Sequence, residues 1–521
     1  MSVHNPYLKP CAASQCVQSA NRVVAVARSC MAGQVESRKH RGDAQVLFGR
    51  GVRLDFVSSP RKSVLMEKRM VDVLNGVLGH FWLNFPPRSL EDDAYPGYVH
   101  QDRERPGMLI LNTLLSLRGL SRPLRPSRPS AITGATTEAS VIVYGIDDMR
   151  QRSIRGHGTR SGSYEFDCEA IVVGVDLGNL NSTLLRHLEV HFPDLSDWSQ
   201  FLDVHEDYEL LPDDRPKSMT IKIEPELELT ADLREGQQLK VKNNWQATGP
   251  LDRRTLYVPL AITSESDVPL PYEDHLQPLL AVQDLISLAY GESIMADGGR
   301  ARIDVLDSYE RLKPRRTYPW WSSRLMVGAH DTAPTSARSF PAWRFNDIGQ
   351  ADGLVAWVNL CTEHPRAVNP LVDNCRKPAG PVQVLLDIAV GIEYWVETWS
   401  GPLGWATSPQ KGQPFNDSDR RGAQLARHVG DHFTKWVGGD SSTWAKEFHT
   451  AYNGAKHIKP SSHSTREIEL LGQSGRALLE CALLDHVAGN DGPSRSICDS
   501  FRNYQLGQNI RDLMQRKASA P

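Results

Sequence analysis

VLLDIAVGIEYWVETWS, residues 384–400, sets Leu385, Ala389, Ile392, Val396 and Trp399 at alternating steps of four and three. Residues spaced this way share one side of an α-helix, so the run predicts an amphipathic helix whose apolar stripe needs a partner. Its surroundings repeat that demand. Residues 417–437 carry Leu425, Val429, Phe433 and Trp436 in the same manner. SSTWAKEFHTAYNGAKH at 441–457 offers Ser441 or Ser442 as a cap and a face of Trp444, Phe448 and Ala451. Residues 464–487 form a further long amphipathic helix, and several antiparallel helices of this kind make a bundle. LQPLLAVQDLISLAYG at 276–291 is an apolar helix with a closing glycine as C-cap.

Upstream the period changes from helical to alternating. SVIVYG at 140–145 and AIVVGV at 170–175 are β-branched and end at glycine, which predicts strands. HLEVHF at 187–192 puts Leu188, Val190 and Phe192 on one face and His187, Glu189 and His191 on the other. MLILN at 108–112, MTIKIEPELEL at 219–229 and TLYVPLAI at 255–262 continue the strand pattern, while 120–138 reads as a Pro/Ser/Arg-rich loop. A YPWW cluster at 318–321 is expected in a core. The regular βα alternation of a doubly wound fold is missing. The expected class is α+β: a strand-rich antiparallel N-terminal domain, sandwich-like or barrel-like, followed by an all-helical bundle. The expected divisions are a poorly ordered extension over 1–65, the strand-rich domain over 66–270, a mixed helical connection over 271–365 and the bundle over 366–521.

Composition narrows the function class. With 521 residues, one core is unlikely to serve the whole chain. The 59 basic and 62 acidic side chains leave a formal charge of −3, so global charge gives no argument for nucleic-acid binding, though a local basic site stays open. No stretch approaches the roughly 18 uncharged apolar residues of a membrane span. The eight cysteines are scattered and include no CxxC, which removes support for a disulfide framework or a paired-thiol zinc site. RVVAVAR at 22–28 is too short for a signal-peptide core, and a cytoplasmic protein is expected.

Chemistry gathers best at one place. His449, Tyr452, Asn453, Lys456 and His457 fall along one helical stripe or its edge. Histidine transfers protons near neutral pH, an amide holds an imidazole or a phosphate oxygen, and an ammonium offsets phosphate charge. Such a set suits metal-independent RNA cleavage, in which the substrate supplies its own 2′-hydroxyl nucleophile. A solvated helix end is the competing explanation. His428 and His432, four apart in RHVGDH with Asp431 between them, raise a metal site or a mixed polar surface. Glu393 and Glu397 either face the histidine cluster or face solvent. The arginines of 118–128 and 150–160 suit phosphate contacts or plain surface loops, and GVDLGNLNS at 174–182 lacks a nucleotide-binding pattern.

Read in order, FWLNFPP at 81–87, PGYVHQ at 96–101, VIVYG at 141–145, YEFDCEAIVVGVDL at 164–177, LRHLEVHFPDLSDW at 185–198 and the 276–291 helix resemble the ApeA family of bacterial abortive-infection proteins, over roughly 75–487. The C-terminal part resembles a HEPN domain, an all-helical ribonuclease fold that commonly dimerises. The HEPN hallmark is Arg, a polar residue that is often Asn, three variable residues, then His. The segment Tyr452–His457 matches it at Asn453 and His457, with Tyr452 in place of the arginine. The resemblance implies His457 as the catalytic residue with Asn453 beside it and Lys456 as a compensating cation. It also implies an RNA target with tRNA foremost and a sensory N-terminal domain responding to a phage-derived trigger; a homodimer or higher homo-oligomer is expected, with no cofactor and no metal. A non-catalytic RNA-binding or protein-interaction module is the alternative, favoured by Tyr452.

Overall fold

The computed structural model describes residues 25–26, 68–83, 94–101, 108–113, 129–156, 159–193, 195–200, 204–213, 215–223, 228–244, 246–248, 255–257, 259–305, 316–326, 340–403, 421–457 and 462–519. The expectation for 1–65 lies outside these except at two positions, and the arginine-rich stretch 118–128 lies outside them entirely. The strands are β1 (Ala25–Val26), β2 (Gly79–Trp82), β3 (Tyr95–His100), β4 (Met108–Thr113), β5 (Ala131–Thr136), β6 (Ser140–Tyr144), β7 (Asp147–Gly156), β8 (Thr159–Asp167), β9 (Ala170–Val173), β10 (Leu180–Phe192), β11 (Val204–Leu210), β12 (Pro216–Ile223), β13 (Leu229–Arg234), β14 (Gln237–Asn243), β15 (Gln246–Thr248), β16 (Thr255–Tyr257), β17 (Leu260–Leu270), β18 (Gly298–Val305) and β19 (Thr317–Ser322). The helices are α1 (Lys68–Leu74), α2 (Ser196–Ser199), α3 (Tyr272–Tyr290), α4 (Gln350–Glu363), α5 (Pro365–Arg376), α6 (Pro381–Leu403), α7 (Arg421–Val429), α8 (Asp431–Trp436), α9 (Ser441–Lys456), α10 (Thr465–Ala488), α11 (Gly492–Asp499) and α12 (Phe501–Ser519).

The chain divides into two units. The smaller comprises 1–51 and 203–224. Its described part is an antiparallel hairpin of β11 and β12 with β1 paired to β12. Glu209 joins the two hairpin strands by accepting from Lys217 at 2.5 Å and Ser218 at 3.0 Å.

Among the described residues the larger unit carries fourteen strands in one hydrogen-bonded order, β13-β14-β17-β10-β18-β19-β9-β6-β5-β2-β3-β4-β8-β7, paired antiparallel throughout. An α+β architecture therefore holds, with an antiparallel N-terminal sheet and a largely helical region from α4 to α12. The sheet reaches past residue 270. β19, which is the YPWW segment, pairs with β18 on one side and β9 on the other, and Tyr318, Trp320 and Trp321 are buried. Three large aromatic side chains on so short a strand bury enough surface to join the two halves of the order.

Several sequence expectations change in detail. Residues 131–136, read as loop, form β5 because Ala131, Ile132 and Thr133 are buried against the neighbouring strands. The arginine-rich 150–160 stretch lies across the β7–β8 hairpin. The 219–229 run contributes to two strands, β12 and β13, with Pro225 between them. In β10 the alternation holds, but the polar face is not solvated: His187, Glu189 and His191 are buried along with Leu188, Val190 and Phe192. The Glu189 carboxylate is held by His191 Nε2 at 2.7 Å, by Asn244 Nδ2 at 2.8 Å and by Lys242 Nζ at 2.9 Å.

α3 is apolar nearly all round and buried nearly all round, as a helix between layers must be. It touches β10 and β17 on one side and α4 and α5 on the other. Gly291 closes it in the left-handed region at φ +71, satisfying the last carbonyls. The bundle stacks α10 on α6, with Gly472 and Gly475 letting Leu385 and Phe448 approach. The expected single helix over 417–437 is two helices. Gly430 sits at φ +88, which an L side chain rarely adopts, so the chain turns there and α8 starts afresh. Leu425, Val429, Phe433 and Trp436 are nevertheless all buried.

Candidate functional site

The candidate site is built at the C-terminal end of α9. A sixteen-residue helix is barely stable alone in water, so tertiary packing must hold it. Trp444, Ala445, Phe448, Ala451 and Tyr452 supply the buried face. Trp444 stacks on Phe448 at 5.2 Å and donates its indole N–H to Ser474 at 2.8 Å. The N-cap is Asp440 and not Ser441 or Ser442. Its carboxylate accepts from the Ser442 and Thr443 amides at 2.9 and 3.1 Å, and a negative charge also suits the positive end of the helix dipole. The Thr443 hydroxyl, which also donates to this carboxylate, and then the two amides hold the Asp440 carboxyl below its ordinary range.

At the other end α9 stops at Lys456, and the His457 amide donates to the Asn453 carbonyl at 3.1 Å. His457 and Lys456 are exposed, Asn453 is half-buried and Tyr452 is buried. His449, one turn back, is half-buried with its ring 6.1 Å from that of Tyr452. Lys456 folds back over Tyr452, with Nζ donating to the phenol oxygen at 3.2 Å and lying 5.2 Å from the ring centre. That hydrogen bond, with Glu393 nearby, raises the Lys456 pKa. The ammonium is therefore charged at any physiological pH. A cation in the last turn is also what the helix dipole favours on structural grounds alone.

Two neighbouring helices complete the surroundings. Arg421, the first residue of α7, pairs with Glu393 of α6 at 3.5 Å and with Glu397 one turn further. The two glutamates that share a helical face in the sequence thus share one guanidinium. Arg421 itself carries no periodic signal and was missed. So was His463, which anchors the chain after α9: its Nε2 lies 2.9 Å from Glu447 of α9, and Ser464 then opens α10 through a capping box with Glu467.

His428 and His432 do not lie on one helix: His428 is in the last turn of α7, His432 in the first turn of α8, and Gly430 turns the chain between them. His432 is 3.4 Å from Asp491. Among the described residues no three His, Cys, Asp or Glu side chains gather as a metal site. Arg427, His428 and His432 follow the literal order of Arg, polar residue, three variable residues and His, which Tyr452–His457 meets only at Asn453 and His457, although the two ends lie on different helices. Cys168, Cys361, Cys375, Cys481 and Cys498 are unpaired thiols. Burial pushes the Cys168 thiol up to about 12, which keeps it protonated near neutral pH. No described helix is long and apolar enough to cross a membrane.

Comparison with known proteins gives one result. Residues 76–319 match the family described as ApeA N-terminal domain 1. No curated protein and no solved structure gives a match. The matched region begins just before β2 and ends within β19, so it takes in the strands of the larger unit and α3. Residues 76–319 thus form an ApeA-like N-terminal domain, followed by a helical C-terminal region.

Proposed function

We propose that the helical C-terminal half is a metal-independent endoribonuclease acting in phage defence. His457 serves as general acid or base, Asn453 holds the imidazole or a phosphate oxygen, and Lys456 offsets phosphate charge. The 2′-hydroxyl of the substrate gives up its proton and attacks the adjacent phosphorus. The bond to the 5′ oxygen breaks, that oxygen takes a proton, and a 2′,3′-cyclic phosphate remains. The observation that carries the reading is the exposed His457 imidazole at the end of α9, beside the charged Lys456 and one turn beyond Asn453. An imidazole in a closed apolar interior could not reach a phosphodiester.

The ApeA-like N-terminal domain supports the defence context, because ApeA proteins protect bacterial populations by abortive infection. In this reading the sheet domain senses a phage-derived trigger, tRNA is the first RNA to test, and a homodimer places two His457 residues near one cleft. Purified protein should shorten cellular RNA in the presence of a chelator and leave cyclic phosphate ends, and His457→Ala should abolish the activity. Cleavage that persists unchanged in that variant removes the assignment.

The second reading is an RNA-binding or protein-interaction module without catalysis. Burial of Tyr452, with Lys456 drawn onto it and Arg421 engaged by two carboxylates, favours it. RNA binding with no cleavage, in wild type and during phage challenge, would select this reading.

A further inference from the structure

Where α4 meets α5, α6 and α10 bring a second set of rings to the surface. Trp395 and Trp399 of α6 lie 5.3 Å apart. The His486 ring of α10 sits 4.6 Å from Trp399 and 5.3 Å from Trp395. His364, which ends α4, lies edge-on to Trp395 at 5.6 Å and bonds through Nδ1 to the Tyr394 hydroxyl at 3.1 Å. The Arg366 guanidinium covers Tyr394 at 5.4 Å. Trp395 forms the buried floor, Trp399, His364 and Tyr394 are half-buried, and His486 and Arg366 are exposed.

Ring contacts, not a hydrogen bond from its indole, hold Trp399 in this cluster. The Trp399 indole N–H is buried without a hydrogen-bond partner, whereas Trp343, Trp357 and Trp444 of the same helical region all donate. The electrostatics point to the kind of ligand. Partial burial against the tryptophans, then His364 and His428, lower the His486 pKa, and Glu363 acts in the opposite direction. The His486 ring is therefore neutral at physiological pH and presents a π face more than an anion-attracting charge. Arg366 supplies a cation at the rim.

We propose that Trp399 and His486, floored by Trp395 and rimmed by Arg366, bind an unpaired base of single-stranded RNA by stacking. Aromatic faces interleaved with arginine are the recurring chemistry of such sites. The inference deepens the ribonuclease reading and rests on it for the choice of RNA. α6 also carries Glu393, the carboxylate beside Lys456, so one helix supports both the base-binding surface and the end of α9.

The test measures anisotropy of a fluorescent, unstructured 12-nucleotide RNA with the full chain, and of the same backbone with abasic positions. Stacking contributes about 1–3 kcal/mol per base, so Trp399→Ala should weaken binding of the base-bearing RNA by roughly 5- to 150-fold. Trp399→Phe should retain most of the affinity, which separates lost stacking from lost folding. The abasic strand should bind weakly and alike to all three proteins. Equal binding of base-bearing RNA by wild type and Trp399→Ala, equal binding of both strands by wild type, no RNA binding at all, or a surface that captures only protein would each overturn the proposal. Cleavage is read separately through His457→Ala. Trp399-dependent binding without His457-dependent cleavage removes the nuclease reading alone, and the converse removes only this one.

Discussion

Replacing His187 with glutamine should make the sheet domain less sensitive to acid. His187 lies on β10, 3.8 Å from Glu189, with its side chain one-tenth exposed. Burial lowers its pKa to about 4 from 6.5; Glu189 and Glu265 pull it back up, while Arg302 and Lys242 push it further down. The folded state therefore takes up the proton later than the unfolded chain. The stability that comes from keeping this ring neutral is complete above pH 6.5 and is lost as pH falls through about 4. Between neutrality and about pH 4.5 those two values correspond to a loss of roughly 2–3 kcal/mol. His187→Gln removes the titration but not the acid response of the carboxylates. Urea unfolding at the two pH values, read by hydrogen exchange of β10 peptides labelled at a common pH, gives the comparison. The variant should lose roughly 2–3 kcal/mol less than wild type between the two conditions. Identical losses in both proteins would refute the reasoning and place the His187 ring in contact with water.

Two stability predictions come from the helical region. Asp440→Ala removes the acceptor for two amides at the start of α9 and should cost about 1 kcal/mol, measured by denaturant unfolding; Asp440→Asn should restore most of it. Arg502→Met should cost about 3–5 kcal/mol, because it leaves the Glu480 carboxylate, 3% exposed, facing Trp343 without its guanidinium. The same arginine also donates to the Leu288 and Ala289 carbonyls at the end of α3, so hydrogen exchange should rise there as well as in α10.

Periodic signals survived the passage to three dimensions, and signals that depend on distant partners did not. The 384–400, 441–457 and 464–487 stripes are buried faces of α6, α9 and α10 because a helix period needs only local residues to be seen. Gly430 breaks α7 from α8 although the apolar spacing runs through it, since hydrophobic period carries no information about φ. β5 was hidden within a Pro/Ser/Arg-rich stretch because its partners β2 and β6 decide it. The buried polar face of β10 was equally invisible, since alternation reports two faces but not what covers each. At the candidate site, the stripe of Asn453, Lys456 and His457 could be read from spacing. Arg421 could not, because it arrives from another helix, and neither could the withdrawal of Lys456 onto Tyr452.

Charge at the end of α9 bears directly on how one subunit could hold a phosphodiester. Lys456 and Arg421 bring two positive charges, and Glu393 and Glu397 bring two negative ones. These four described groups sum to zero, and Tyr452 adds no charge. A site of this kind attracts a polyanion weakly, because phosphate affinity rests on uncompensated Lys and Arg. Under the ribonuclease proposal, further cation must then come from elsewhere, and a two-fold partner is the economical source because it duplicates every local charge and adds a second His457. Base stacking at Trp399 acts in the same direction without charge, since it holds the strand through its bases. RNA affinity should accordingly fall only gently with added salt in a single subunit and more steeply in an assembled pair. A steep salt dependence in a demonstrably monomeric protein would place the missing cations within the chain itself.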